Sequence, residues 1–176
     1  MTEHVILVDK NDCEIGTAEK LAAHQNGGQL HRAFSIFVYN MLGELLLQQR
    51  AKTKYHFGGL WSNTCCGHPR PGETVSNAAE RRLAEEFGFT CSLAVQTSLI
   101  YEAHDAASGL TEREYLHILT GRFFGPPQPN PEEIDAFRWK PAAAVVEELR
   151  AAPQRFTPWF PLAFQHLHDD GGKPAF

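Results

Sequence analysis

The chain has 176 residues, a formal charge of −5 and nine His. With 43% hydrophobic and 21% charged residues it has globular composition, which excludes a disordered chain and suits one domain over residues 1–176. Its acidic balance argues against a general nucleic-acid binder, and four Cys without a CxxC pair argue against a zinc ribbon or dithiol site.

Val5–Val8 reads as a strand and residues 9–12 as a turn. Ala18–Ala23 reads as a short helical turn, ended by Asn26-Gly27-Gly28. Ala33–Tyr39 is a buried strand by its Phe, Ile, Val and Tyr, and Leu45–Gln49 returns from it as a hairpin. Ala51–Gly72 reads as a long loop, and long ordered loops usually carry function. Val75, Ala79, Leu83 and Phe87 recur every four residues, so Val75–Phe87 is an amphipathic helix. Thr74 or Ser76 caps its start and Gly88 ends it.

Leu93–Tyr101 and Thr111–Phe124 read as strands around a turn at residues 107–109. A Pro-rich loop, Pro126–Pro131, leads to a short strand, Ala136–Trp139. Pro141–Arg150 is a helix with Pro at its start, and Trp159–His168 is the last helix. Asp169–Phe176 reads as a frayed end. Strands with few helices predict an α/β sandwich around a mixed sheet. No apolar run reaches the ~20 residues of a membrane span, and Met1–His4 lacks the basic start of a signal peptide. The expectation is a cytoplasmic, reduced, monomeric protein with neither nucleic acid nor membrane as partner.

The helix Val75–Phe87 sits inside a longer pattern. Gly67 is followed by five residues, Glu73, seven residues, then Arg81-Arg82-Leu83-Ala84-Glu85-Glu86-Phe87-Gly88-Phe89. This resembles the Nudix box, G-x5-E-x7-R-E-U-x-E-E-x-G-U, and matches eight of its nine fixed positions. The resemblance implies a Nudix-type α/β/α sandwich. The one departure is Arg82, where the box has a metal-binding Glu. A cation there weakens the case for hydrolysis, which gathers carboxylates around Mg²⁺, and suits a diphosphate clamp.

Just before the box stands Ser62-Asn63-Thr64-Cys65-Cys66-Gly67-His68-Pro69. Joined to the Nudix helix, it resembles the type 1 isopentenyl diphosphate isomerase family. The likeness extends through His24, His31, Arg50–Lys54, Gly59–Asn63, Tyr101, Thr111–Tyr115 and Phe156–Trp159.

Read for themselves, Glu112 and Glu114 lie two apart on a strand and share a face with Leu116 and Ile118. Two inward carboxylates are costly unless a metal satisfies them; the alternative is a solvated strand end. The resemblance implies that His24, His31, His68, Glu112 and Glu114 hold one Mn²⁺ or Zn²⁺. It assigns acid and base to Cys66 and Glu114, with Tyr101 assisting. It places Lys20, Arg50, Lys54 and Arg82 around a small diphosphate substrate. It gives Mg²⁺ to Glu86 and the Cys66 carbonyl. Trp159 is expected to face a carbocation, a cation–π contact worth about 2 kcal/mol when desolvated. Cys65 is expected to be inert, Glu85 to be structural and Glu73 to order the loop.

The implied reaction protonates an unactivated alkene, so the acid must be close and shielded from water. The competing readings are a Nudix hydrolase of nucleoside diphosphate derivatives and a non-catalytic diphosphate-binding module. Arg82 argues against the first, and the Cys66/Glu114 pair with three His argues against the second.

Overall fold

The computed structural model describes residues 3–54 and 56–169. Strand β1 (His4–Val8) pairs antiparallel with β2 (Glu14–Glu19), and α1 (Lys20–His24) follows directly. Next come β3 (His31–Tyr39), β4 (Leu45–Arg50), β5 (Trp61–Ser62) and β6 (Cys65–Gly67). Helix α2 (Val75–Phe87) leads to β7 (Leu93–Asp105), β8 (Leu110–Arg122) and β9 (Ile134–Lys140). The chain closes with α3 (Ala142–Ala151), a 3₁₀ turn (Pro153–Arg155) and α4 (Trp159–Asp169).

Strand β3 is the axis of the mixed sheet. It runs parallel to β8 along its whole length, from His31 opposite Glu114 to Tyr39 opposite Arg122. Its other edge meets β1 at His31, β6 at residues 34–36 and β4 at Tyr39. Strand β7 continues the sheet beyond β8, and β9 pairs with β4.

Alternation along β3 builds two cores. Phe34, Ile36 and Val38 pack with Leu83 and Phe87 of α2. Ala33, Phe37 and Tyr39 pack with Phe160 and Phe164 of α4 and Val145 of α3. Each Val, Leu, Ile or Phe among them contributes about 1.5–3 kcal/mol on burial. Helices therefore cover both faces, which is the sandwich the composition of elements predicts. Helix α2 starts and stops as expected: Thr74 Oγ1 accepts from the Asn77 amide, and Gly88 takes the left-handed φ of 69°.

Several boundaries differ from expectation. Residues 14–19 form a strand, and the helical turn is displaced to Lys20–His24. The long loop contains β5 and β6, and β7 runs on to Asp105. Pro141 is the cap of α3 rather than its first residue. Of the stretch expected to fray, Asp169 ends α4 and residues 170–176 lie outside the described residues. No helix among the described residues is long and apolar enough to cross a membrane.

Candidate active site

The parallel pairing of β3 with β8 sets His31 beside Glu114. The turn before β3 must press close against β8 to do this. At Gly28, with φ +74°, an added Cβ would lie 2.8 Å from the Thr111 carbonyl oxygen, so only glycine fits. His24 arrives from the end of α1, Glu112 from the start of β8 and His68 just beyond β6. Donor atoms of His24, His31, His68, Glu112 and Glu114 all lie within 4.8 Å of one another.

The imidazoles are oriented by backbone carbonyls. His24 Nδ1 donates to the Lys20 carbonyl at 2.6 Å, and His31 Nδ1 donates to the Gln29 carbonyl at 2.8 Å. Each therefore turns its Nε2 toward the cluster, the arrangement typical of metal-ligating His. His24 Nε2 lies 2.9 Å from Glu112 Oε2, and His68 Nε2 lies 2.9 Å from Glu114 Oε1. His31 Nε2 is buried and has no hydrogen-bond partner among the described residues. Burial, reinforced by the neighbouring His24 charge, pushes His31 down to about 4. Burial and the His31 charge take His68 well below the usual range. Burial also opposes charge on His24, but the Glu112 hydrogen bond outweighs it and raises that group.

The carboxylates split in the same environment. Burial works against charge on Glu112, yet hydrogen bonds from His24 and His56 hold it well below the carboxylate range. Burial and the charge of Glu112 push Glu114 well above it. An orphaned ring nitrogen, inward Nε2 atoms and two buried carboxylates form a mixed N/O set. That set fits a divalent ion such as Mn²⁺, Zn²⁺ or Fe²⁺, whose charge would let both carboxylates ionise.

Beside the cluster opens a cavity of about 350 Å³, lined by Cys66, Tyr101, Glu112, Glu114 and Trp159 among others. The Cys66 Sγ sits 3.3 Å from Ser35 Oγ and 3.3 Å from Asn63 Oδ1. Asn63 is fully buried, and its amide hydrogens go to the Ile36 and Cys65 carbonyls, which turns Oδ1 toward the thiol. Ser62 donates to the same Oδ1 and accepts from Trp159 Nε1 at 3.0 Å. Burial pushes the Cys66 thiol up to about 11, so it holds its proton at neutral pH. Cys65 is buried in the α2-side core and raised well above the usual thiol value by burial and the Glu86 charge. The Tyr101 hydroxyl donates to Glu114 Oε2 at 2.6 Å.

Lys20, Arg50, Lys54 and Arg82 all line this cavity. Arg82 bonds Glu85 at 2.7 Å, contacts Glu133 at 3.3 Å and pairs closely with Glu86. Lys54 pairs with Glu133, and Lys20 lies 2.8 Å from Glu3. The Arg50 guanidinium carbon stands 5.4 Å from the Trp159 ring centroid, and its buried Nε has no hydrogen-bond partner among the described residues. Glu86 is buried and takes a second hydrogen bond from Gln48 Nε2 at 2.8 Å. Glu73 accepts from the Arg70 amide and from two nitrogens of Arg81, which ties the loop to α2.

Sequence reasoning overlooked five residues here: Ser35, Gln48, His56, Asn63 and Glu133. Ser35 and Gln48 stand at inward strand positions among apolar neighbours, and a polar residue breaking such a row was a readable signal. His56 lies in an irregular loop and Glu133 at a loop end, where no periodicity marks direction.

The NUDIX domain profile matches residues 29–160. The chain is 54% identical over 159 residues to an isopentenyl-diphosphate Delta-isomerase of Halorhodospira halophila, covering 90% of this chain and 91% of that one. It is 51% identical over 160 residues to one of Burkholderia multivorans, covering 91% and 90%. Its fold is similar to a crystal structure of a Deinococcus radiodurans protein, with TM-score 0.70 and 21% identity over 85% of this chain and 90% of that one. A MutT protein of Methanosarcina mazei matches with TM-score 0.66 and 16% identity over 82% and 96%. At such identities these two establish the fold alone.

Proposed function

This chain belongs to the NUDIX family and, within it, to the isopentenyl-diphosphate Delta-isomerases, and on that premise we propose that it interconverts isopentenyl and dimethylallyl diphosphate. The observation that carries the reading is one cavity flanked by a thiol, Cys66, and a carboxyl, Glu114, bonded to Tyr101. A 1,3-proton shift needs such a pair. One group gives a proton to the terminal alkene carbon, and the other removes one from the CH₂ beside the tertiary cation so formed. The forward and reverse reactions use the two groups in opposite order.

Trp159, itself buried, lines the cavity, where its ring would steady the cation. Lys20, Arg50, Lys54 and Arg82 bind the diphosphate, and the unpartnered Nε of Arg50 is a ready donor for it. Glu86 and the Cys66 carbonyl are the residues to hold Mg²⁺ with the diphosphate. His24, His31, His68, Glu112 and Glu114 are the residues to hold Mn²⁺ or Zn²⁺. When bound, that ion supplies positive charge that makes a carboxyl beside it more acidic. Four free cysteines support a reducing, cytoplasmic setting.

The test is incubation with Mg²⁺ and isopentenyl diphosphate in D₂O, followed by NMR. Deuterium entering the carbon skeleton without release of phosphate supports isomerisation. Phosphate release with an unlabelled skeleton would overturn it in favour of a hydrolase.

A further inference from the structure

His56 lies outside the five-residue cluster yet touches it. Its Nε2 stands 2.5 Å from Glu112 Oε1, while the other oxygen of that carboxylate, Oε2, faces His24 at 2.9 Å. An ionised carboxylate accepts only, so His56 Nε2 carries the hydrogen. The His56 ring is 8% exposed and packs against Phe57 (5.4 Å) and Trp159 (6.4 Å).

The loop around His56 is built to hold it there. Phe57 takes a left-handed φ of 51°, a conformation that bulky residues rarely adopt. A Cβ on Gly58 would lie 2.8 Å from the Lys52 carbonyl oxygen, so the loop folds back tightly on itself. Arg50 donates from its guanidinium to the His56 carbonyl at 3.3 Å. The same loop carries Lys54 into the cavity.

We propose that His56 is a positioning residue for Glu112: it fixes one carboxylate oxygen, leaves the other for the ion, and latches the Lys54 loop to the ligand cluster. The inference rests on the five residues holding a divalent ion. Loss of such an outer partner lowers metal affinity by about 10- to 100-fold in comparable sites.

The experiment measures Mn²⁺ binding to metal-stripped protein, without diphosphate, from the EPR signal of free Mn²⁺. Three variants are compared with the parent, and folding is followed by circular dichroism. His56→Gln keeps a donor near the Nε2 position and retains an affinity close to the parent. His56→Phe keeps the ring and removes the donor, and its dissociation constant rises about 10- to 100-fold. His56→Asn is too short to reach Oε1 and shows the same loss, which settles the matter if the Phe variant does not fold. Parent-like Mn²⁺ affinity in the Phe or Asn variant overturns the role of His56 alone. Equal loss in the Gln and Phe variants overturns it too, by assigning the effect to the ring rather than the hydrogen bond. A parent that binds no Mn²⁺ removes the five-ligand reading and this inference together.

Discussion

Tyr101 and Glu114 are direct partners across the antiparallel β7–β8 ladder, and the phenol donates to the carboxyl at 2.6 Å. The register that pairs the strands therefore also aims the hydrogen bond. Removing a donor from a buried carboxyl costs about 1–3 kcal/mol of stability. Tyr101→Phe should therefore lower Tm and, with Glu114 less well oriented, slow turnover about 10- to 100-fold while leaving KM near that of the parent. Steady-state kinetics beside a melting curve decide it, and full turnover in the Phe variant would remove Tyr101 from the mechanism.

Adjacent thiols make a controlled comparison. Cys66 lines the cavity, whereas Cys65 is buried in the opposite core. Cys66→Ala should lower turnover by about 100- to 10,000-fold, the usual contribution of an acid–base group. Cys65→Ala should keep activity and cost roughly 1 kcal/mol of stability. Similar activities in the two variants contradict the assignment.

The thiols also differ in reactivity. Burial raises Cys66 to about 11 and Cys91 to about 11, and only the thiolate reacts with an alkylating agent. At pH 8 about 0.1% of such a group is ionised. Peptide mapping after brief iodoacetamide treatment at pH 8 should find label at the exposed Cys13 first. Labelling of Cys66 should grow tenfold per pH unit towards pH 11. Rapid modification of Cys66 at neutral pH would show a thiolate and sink its role as resting acid.

Acid should weaken the metal-stripped protein through the buried histidines of the candidate metal site. His31 falls to about 4 when folded, against about 6.5 unfolded. The unfolded chain then binds the extra proton between those values, so stability rises with pH across that window. The contribution is complete above pH 6.5 and is lost as pH falls to about 4, amounting to roughly 3 kcal/mol. His68 adds with the same sign and His24 with the opposite one. Urea titrations of stripped His31→Gln should show a shallower loss between pH 6.5 and 4 than the parent. An identical slope refutes the attribution.

Arg82 serves charge and structure at once. Arg82→Gln should raise KM for the diphosphate about 10-fold or more by removing a charged donor. It should also cost about 1–3 kcal/mol, because buried Glu86 loses its cation. An unchanged KM would take Arg82 out of the diphosphate site.

Much of this arrangement was legible because periodicity reports direction. The four-residue recurrence of Val75, Ala79, Leu83 and Phe87 marked α2, and the two-residue spacing of Glu112 and Glu114 put both on the buried face. Strand β2 escaped notice because it lies at the sheet edge and is half-solvated on both sides, so no apolar alternation writes itself into Glu14–Glu19. The ion-pair chain from Lys54 through Glu133 to Arg82 escaped for another reason. It joins two loops and a helix, and charged residues carry no mark of their partner. His56 is the same case in an irregular segment.

The β3–β8 pairing also bears on how the molecule reaches its native state. His24 and Glu112 lie 88 positions apart, and most of the sandwich is threaded between them. Their meeting waits on loop closure and on the non-local parallel register, which are slow steps. No early local fragment unites both ends of the ligand set, so a divalent ion would reward only a chain that has completed its topology. The cation site would thus act as a late thermodynamic lock on the finished fold rather than as a nucleus for it.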